Sequence, residues 1–542
     1  MTAPTPATTA RAAVGMGAIT AVSRVIGFVR VLVVAGVLGT TFLGNAFQAA
    51  NSFSNVLFEL LAAGALSAVL VPAFVELLEQ DDEEGAESVA GGVLGAALAG
   101  LGAISVLGIL LSPLLARLLT LGVPPEVAGQ QRELVTFLLW FFIPQVLLYA
   151  AGAVATGVLY AKRRFAVTAA APIGNTVVMV VCLLAFRAVA GPAPDLDVST
   201  GERWLLVAAG SGGVLAFVGT LLVALSRTGF RLRPRWGWAD LRVRRVLAHS
   251  GWGAVLHTGA GLLLGAAVVA GSAVEGGVVA YQVAFVFFLA PYAILAQPIH
   301  TAILPELVSE ARAGDLRRFR ASTRWALERM AILVVPASAL VVSLALPAMR
   351  AVTFGEASGA GVELLAAALA AMGVGLLPYS AFLLLARSFY ALGDSRTPGV
   401  VSLISALAGV AVMATGALTS SGVARVAWIG AGHSVAQVVA SLWLFARLSA
   451  RTEGGLVPAG LLRIVGLSVL AGAAVWAASR SLLDGDQTRI ATVVVLAALG
   501  SAGAALMAGL AWATGLGSVL TRRRPGGASV GAPVPTGGEA GR

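Results

Sequence analysis

Long apolar blocks alternate with short polar or Pro/Gly-rich breaks along almost the whole chain. Fourteen blocks can be delimited, at 12–38, 45–78, 88–118, 132–160, 165–190, 204–226, 245–272, 277–308, 323–348, 361–391, 397–418, 423–447, 458–480 and 488–515. Each is close to or above the roughly 20 residues that a helix needs to cross a hydrocarbon core. Only helices and closed barrels satisfy the backbone in lipid, and a barrel would read as alternating segments of about ten residues. The pattern therefore predicts an all-α polytopic membrane protein of about 14 transmembrane helices. The Pro- and Gly-rich tail after Arg524 is predicted to be disordered.

Composition supports that reading and removes several others. Only 11% of the residues are charged and 58% are hydrophobic, with a mean hydropathy of +0.91, whereas a soluble chain carries about a quarter charged residues. The net charge of +10 does not mark a nucleic-acid partner, because the arginines gather in alternate loops. Cys182 is the only cysteine, which excludes a disulfide framework and a cysteine metal site. The first apolar block carries Arg24 and Arg30, which the apolar core of a cleaved signal would not tolerate, so it is read as a retained helix.

Orientation follows from basic residues. The loops after blocks 4, 6, 8 and 12 hold Lys162-Arg163-Arg164, the arginines of 227–245, those of 312–324, and Arg447 with Arg451. Intervening loops carry Asp195, Asp197, Glu275, Glu356, Asp484 and Asp486 instead. Both termini are therefore predicted to be cytoplasmic, and the acidic loop at 79–87 does not oppose this, because acids contribute little to orientation. A weak repeat is also visible. Pro72 recurs as Pro305, and Tyr160 before a short link recurs as Tyr390, both at offsets of about 230 residues. The predicted units are a tail at 1–11, a first six-helix lobe at 12–226, a basic loop at 227–244, a second six-helix lobe at 245–447, two added helices at 458–515 and a tail at 516–542. Paired lobes around a midplane site are the usual plan of an alternating-access transporter.

The first two blocks carry the candidate chemistry. Ser23-Arg24-Val25-Ile26-Gly27-Phe28-Val29-Arg30 places two guanidinium groups in one helix, each costing at least roughly 2.5–3.5 kcal/mol at membrane depth without water or a partner. Six residues apart, they lie about 120° apart around the axis and can border one wide polar arc. A planar fork of donors suits phosphate oxygens, so a diphosphate-binding cavity is one reading; pairing with carboxylates or carbonyls of neighbouring helices is the other. Asn45, Gln48, Ser52, Asn55 and Glu59 follow at spacings of 3, 4, 3 and 4, forming a stripe on one helix face. They are expected to line the cavity, with an Arg24–Glu59 pair at matching depth. Gln282, Gln297, His300, His257 and His433 are further membrane-embedded polar groups that could line a cavity or relay protons. Asp484-Gly485-Asp486 stands alone, and no cluster has metal-ligand spacing, so no metal, cofactor or catalytic residue is predicted.

These segments resemble the MurJ (MviN) lipid II flippase family of the MOP exporter superfamily. The first-helix segment Ser23–Arg30 is similar to the family signature S-R-[VIL]-x-G-F-x-R. Asn55 to Pro72, with Gly64 and Ser67, is similar to the second helix, and Phe165, Pro172 and Asn175 to the start of the fifth. Ser388-Phe389-Tyr390-Ala391-Leu392-Gly393-Asp394-Ser395-Arg396-Thr397-Pro398 resembles the link between helices 10 and 11. The resemblance implies a MATE-like fold of two lobes, with helices 13 and 14 forming a groove for the lipid tail. It also implies that Arg24 and Arg30 bind the diphosphate of undecaprenyl-diphosphate-MurNAc-pentapeptide-GlcNAc, that Tyr390, Asp394, Arg396 and Pro398 form the link motif, and that the partners are lipid II, membrane lipids and proteins of cell-wall synthesis or division. It places the protein in the bacterial cytoplasmic membrane as a transporter, not an enzyme. The chain also departs from the family, in a manner we read as a divergent, actinobacterial-type branch. The second-helix acid aligns with Asn45 and its arginine with Phe58 beside Glu59, while the eighth-helix arginine and glutamate align with Val286 and Leu289. An exporter of another polyprenyl-linked glycan or a drug, and a non-transporting assembly scaffold, are the alternatives weighed.

Overall fold

Apolar blocks with few interior breakers leave the backbone one way to satisfy itself in lipid, the helical hydrogen-bond ladder. The computed structural model describes residues 6–58, 74–80, 82–237, 243, 251–359, 361–458, 460–483 and 487–515, with side chains described from Val22 onward except at 57, 58 and 251–254. In chain order the helices are α1 (Pro6–Leu38), α2 (Phe42–Phe58), α3 (Glu83–Leu110), α4 (Ser112–Leu119), α5 (Pro125–Phe142), α6 (Gln145–Ala161), α7 (Phe165–Ala190), α8 (Thr200–Val207) and α9 (Gly213–Ser226). They continue as α10 (Gly251–Ser272), α11 (Gly277–Pro291), α12 (Gln297–Arg312), α13 (Leu316–Ser343), α14 (Ala345–Val352), α15 (Gly361–Gly373), α16 (Leu376–Ala391), α17 (Arg396–Thr419), α18 (Gly422–Arg451), α19 (Leu461–Leu482) and α20 (Arg489–Ala513). Helix occupies each of the fourteen predicted positions. Among the described residues, 11 helices are long and apolar enough to cross a membrane, or up to 12 if the bent pair α15–α16 is one span.

Several spans are broken within their length, and the breaks have local causes. Pro144 separates α5 from α6, because a proline nitrogen cannot donate to the ladder. Pro291 closes α11 and is followed by a π turn at Tyr292–Ala296. A second π turn at Ala208–Gly212 joins α8 to α9. The α15–α16 pair bends by 49° between Gly373 and Leu376. Such breaks release backbone groups inside the membrane, where side chains or water must satisfy them. Ser211 in one π turn does so, donating to Phe141 O at 2.9 Å.

Burial separates into distinct cores. The largest is drawn from residues between Leu263 and Leu456, joined by Ala35. Two others are drawn mainly from the first half, one running from Val34 to Ala209 with Val268 and Val278, the other from Phe74 to Val243. Helix α1 packs on α7 of the first half and on α11 of the second, so it lies at the junction. Outward-facing Leu110, Leu418, Leu462, Ile490 and Trp512 are largely exposed, as a lipid-facing surface requires.

Several of the hydrogen bonds and ion pairs between the halves lie toward one end. Asn45 Nδ2 donates to Val274 O at 2.8 Å and Asn45 Oδ1 accepts from Val278 N at 3.0 Å. Arg187 pairs with Glu356 at 3.1 Å, and Ala193 N donates to the same carboxylate oxygen. Two glycines permit this closeness. Gly276 has φ +75° and a Cβ there would lie 2.5 Å from Thr40; Gly355 has φ +60° and a Cβ would lie 2.2 Å from Gly36 O. Only glycine adopts this backbone readily while leaving room for another chain.

Candidate transport site

The site begins with α1, whose position between the halves exposes its polar residues to both. Arg24 is exposed, and its Nη2 donates to Gln297 Oε1 at 3.1 Å, a contact from the first half to α12 of the second. Glu59, the expected partner of Arg24, lies outside the described residues. Arg30 is half-buried and lies close enough to Tyr149 of α6 for the two to interact electrostatically. Tyr149 in turn donates to Asn55 Oδ1 of α2 at 3.2 Å. Thus α1, α2 and α6 hold Arg30 in a polar corner of the first half, and Ser23 sits half-buried one residue before Arg24.

The second half contributes a cation that the motif reading passed over. Arg387 of α16 is half-buried, and both it and Arg24 act electrostatically on Tyr292, while Arg387 also acts on His300. Tyr292 stacks on His300 with centroids 5.6 Å apart and meets Tyr379 edge-on at 4.9 Å. Three guanidinium groups, two from α1 and one from α16, are therefore grouped around the junction. No ion pair to any of the three is found among the described residues. The cost argument applied to Arg24 would have found Arg387, which stands one residue before the link motif in an apolar block.

The stripe on α2 divides into different roles. Asn45 was expected to line the cavity; the structure corrects this, because its side chain is fully buried and both ends of its amide bind backbone at the turn between α10 and α11. Gln48 is also buried, where α2 packs on α5, α10 and α11, and so faces helices in this conformation. Ser52 is buried as well and accepts from Gln282 Nε2 at 2.5 Å, a bond between the halves near mid-span. Asn55, half-buried beside Tyr149, stays with the cationic corner. The cause is helix packing: residues at spacings of 3 and 4 share one face, but neighbours at different depths decide what that face meets.

The link motif is a capping device. Asp394 accepts from Thr397 N at 2.9 Å and from Thr397 Oγ1 at 2.8 Å, closing the first turn of α17, while Arg451 of α18 reaches it at 3.3 Å. Burial raises the Asp394 pKa, but the Thr397 hydrogen bonds and the Arg451 charge outweigh it and hold the carboxyl below its ordinary value. Pro398 is buried within the first turn, Arg396 is exposed, and Tyr390 is partly exposed at the end of α16. Asp484 and Asp486 lie outside the described residues. Among the described residues, no group of three or more His, Cys, Asp or Glu side chains could hold a metal ion.

The chain is similar to known proteins over most of its length. The family described as Lipid II flippase MurJ matches residues 34–496. A Lipid II flippase MurJ from Burkholderia cenocepacia is 27% identical over 537 residues, covering 95% of this chain and 99% of the relative. A probable lipid II flippase MurJ from Rhizobium meliloti is 27% identical, covering 81% of this chain and 80% of the relative. Among solved structures, a lipid II flippase MurJ in an inward closed conformation superposes with a TM-score of 0.71 at 16% identity, covering 92% of this chain and 99% of that one. An inward-facing multidrug resistance MATE transporter of the MOP superfamily gives a TM-score of 0.61 at 18% identity, covering 81% and 99%. The chain has the MurJ/MATE-like fold and belongs to the lipid II flippase MurJ family.

Proposed function

We propose that the protein carries lipid II from the cytoplasmic to the outer leaflet by alternating access, its diphosphate held by Arg24, Arg30 and Arg387. The observation that carries this reading is the grouping of those guanidinium groups from both halves around α1. A diphosphate is a compact, multiply charged anion with oxygens on every side. Cations from two separately moving bodies hold it more completely than a cluster on one, and each forked guanidinium offers a pair of parallel donors. The motion then follows. The end at which Asn45, Arg187 and Glu356 join the halves opens while the opposite end closes, and the headgroup passes between the bodies without covalent chemistry. Each charge moved is worth about 2.3 kcal/mol per 100 mV of membrane potential.

In this reading the joined end faces outward, both termini are cytoplasmic, residues 12–226 and 245–447 are the moving lobes, and α19 and α20 line the groove for the polyprenyl tail. Proteins of cell-wall synthesis or division are the further partners. Purified protein in lipid nanodiscs, titrated with lipid II, tests the site. Charge-assisted hydrogen bonds contribute about 1.5–3 kcal/mol each, so Arg24→Gln, Arg30→Gln and Arg387→Gln should each weaken binding by about 10–100-fold. Wild-type affinity in all three would remove the diphosphate role from these residues.

A further inference from the structure

The repeat between the halves is closest at the links that follow α6 and α16, and there it changes sign at one residue. In the first link Arg163 N donates to Tyr160 O and Arg164 N to Leu159 O; in the second, Gly393 N donates to Tyr390 O and Asp394 N to Phe389 O. Arg163 has φ +57° and Gly393 φ +77°, so the two backbones turn alike, although the left-handed region is uncommon for a residue other than glycine. Asp394, bound to Thr397 and facing Arg451, therefore has Arg164 as its counterpart. Helix α7 starts without a side-chain cap. A negative charge built into the second half is replaced by a positive one in the first.

Arg164 opens onto a cavity of about 510 Å³, whose walls include Leu78, Glu83, Lys162, Arg227 and Thr228. Three cations there meet one carboxylate. Glu83, at the start of α3, pairs with Lys162, whose ammonium also lies 5.3 Å from the centroid of the Phe230 ring. Among the described residues, neither Arg164 nor Arg227 makes an ion pair. Like charges gathered at one cavity repel one another, and an anion between them removes that repulsion. Tyr160 and Phe165 flank the link, both exposed, with ring centroids 5.7 Å apart. Exposed aromatic rings of this kind sit at the membrane–water interface, which puts the cavity at the level of lipid headgroups. Arg24, Arg30 and Arg387 do not line it.

We infer that this cavity binds a phosphate group, as a monoester or diester, held by Arg164, Arg227 and Lys162. The guanidinium forks match pairs of phosphate oxygens, and the ammonium adds a point charge. The bound phosphate supplies at this link the negative charge that Asp394 supplies at the other. It ties the end of α6 to the start of α3 and the end of α9, all in the first half. Its source is either the headgroup of a phospholipid at the membrane surface or a soluble phosphate ester. The recognition chemistry is the same for both. Because every wall belongs to one half, the site stands apart from the transport reading and does not depend on it.

Native mass spectrometry of the full-length protein in detergent tests this, with phosphatidylglycerol, glycerol phosphate and diacylglycerol titrated separately. Arg164→Gln and Arg227→Gln should each weaken binding of a phosphate-bearing probe by about tenfold or more. Arg233→Gln removes the same charge from the exposed loop beyond α9, outside the cavity, and should leave that binding unchanged. Sensitivity to the cavity variants with phosphatidylglycerol alone identifies a lipid headgroup as the source. The same sensitivity with glycerol phosphate identifies a soluble ester. Diacylglycerol, which has the lipid chains without the phosphate, should not saturate the site. Either cavity variant suffices if the other does not fold. Three outcomes overturn the inference: no saturable binding of either phosphate probe, equal loss in all three variants, or diacylglycerol binding as tightly as phosphatidylglycerol.

Discussion

At the scale of single residues, polar groups inside the membrane divide into those that seal and those that bind. Asn45 seals. Its amide satisfies a carbonyl and an N–H exposed at the α10–α11 turn, and Asn45→Leu would leave both buried without partners. An unsatisfied buried group costs about 1–3 kcal/mol, so this variant should lower the thermal midpoint of the purified protein by several degrees; an unchanged midpoint would show that the turn finds other partners. Arg24 and Arg30 were legible in the sequence because a guanidinium in an apolar block stands out against its cost. Asn45 was legible only as one member of a polar stripe. Its role depends on Val274 and Val278, far along the chain, and helical spacing carries no information about such neighbours. Arg387 was equally legible, since it stands in an apolar block at the same cost as Arg24.

At the scale of elements, the helices and their ends follow from local chemistry. Block lengths gave the spans, and Pro144 and Pro291 account for breaks that apolar content conceals. The π turn at Ala208–Gly212 had no such signal, since Ala-Ala-Gly-Ser-Gly fits a helix as readily. Asp394 shows how a recognised motif acquires a physical role. It accepts two hydrogen bonds from Thr397 and faces Arg451, tying α16, α17 and α18 together. Capping contacts contribute about 0.5–2 kcal/mol, so Asp394→Ala should melt below wild type at neutral pH. Because the folded carboxyl titrates below its ordinary value, this stabilisation is present above the unfolded pKa and is lost as pH falls through the folded one. The gap between variant and wild type should therefore close in acid; a gap independent of pH would contradict a role for the ionised carboxylate.

At the scale of the whole molecule, the proposed motion of two bodies rests on the separate buried cores, on α1 at their junction and on the several bonds that join the halves toward one end. The weak repeat pointed toward such an arrangement. Tyr160 and Tyr390 both end a helix, α6 and α16, before a short link into the next, while Pro72 lies outside the described residues. Which ends touch could not be read from the chain, because contacts such as Thr40 with Gly276 and Arg187 with Glu356 form between segments that share no local pattern. The central claim is that cations drawn from both bodies carry a polyprenyl diphosphate across the membrane. It is tested most directly by proteoliposomes loaded with lipid II on one face, following its arrival at the other. Wild-type protein should move it, and Arg24→Gln and Arg30→Gln, inserted in equal amount, should each slow it by about tenfold or more; lipid II crossing at the wild-type rate in both variants would contradict the account.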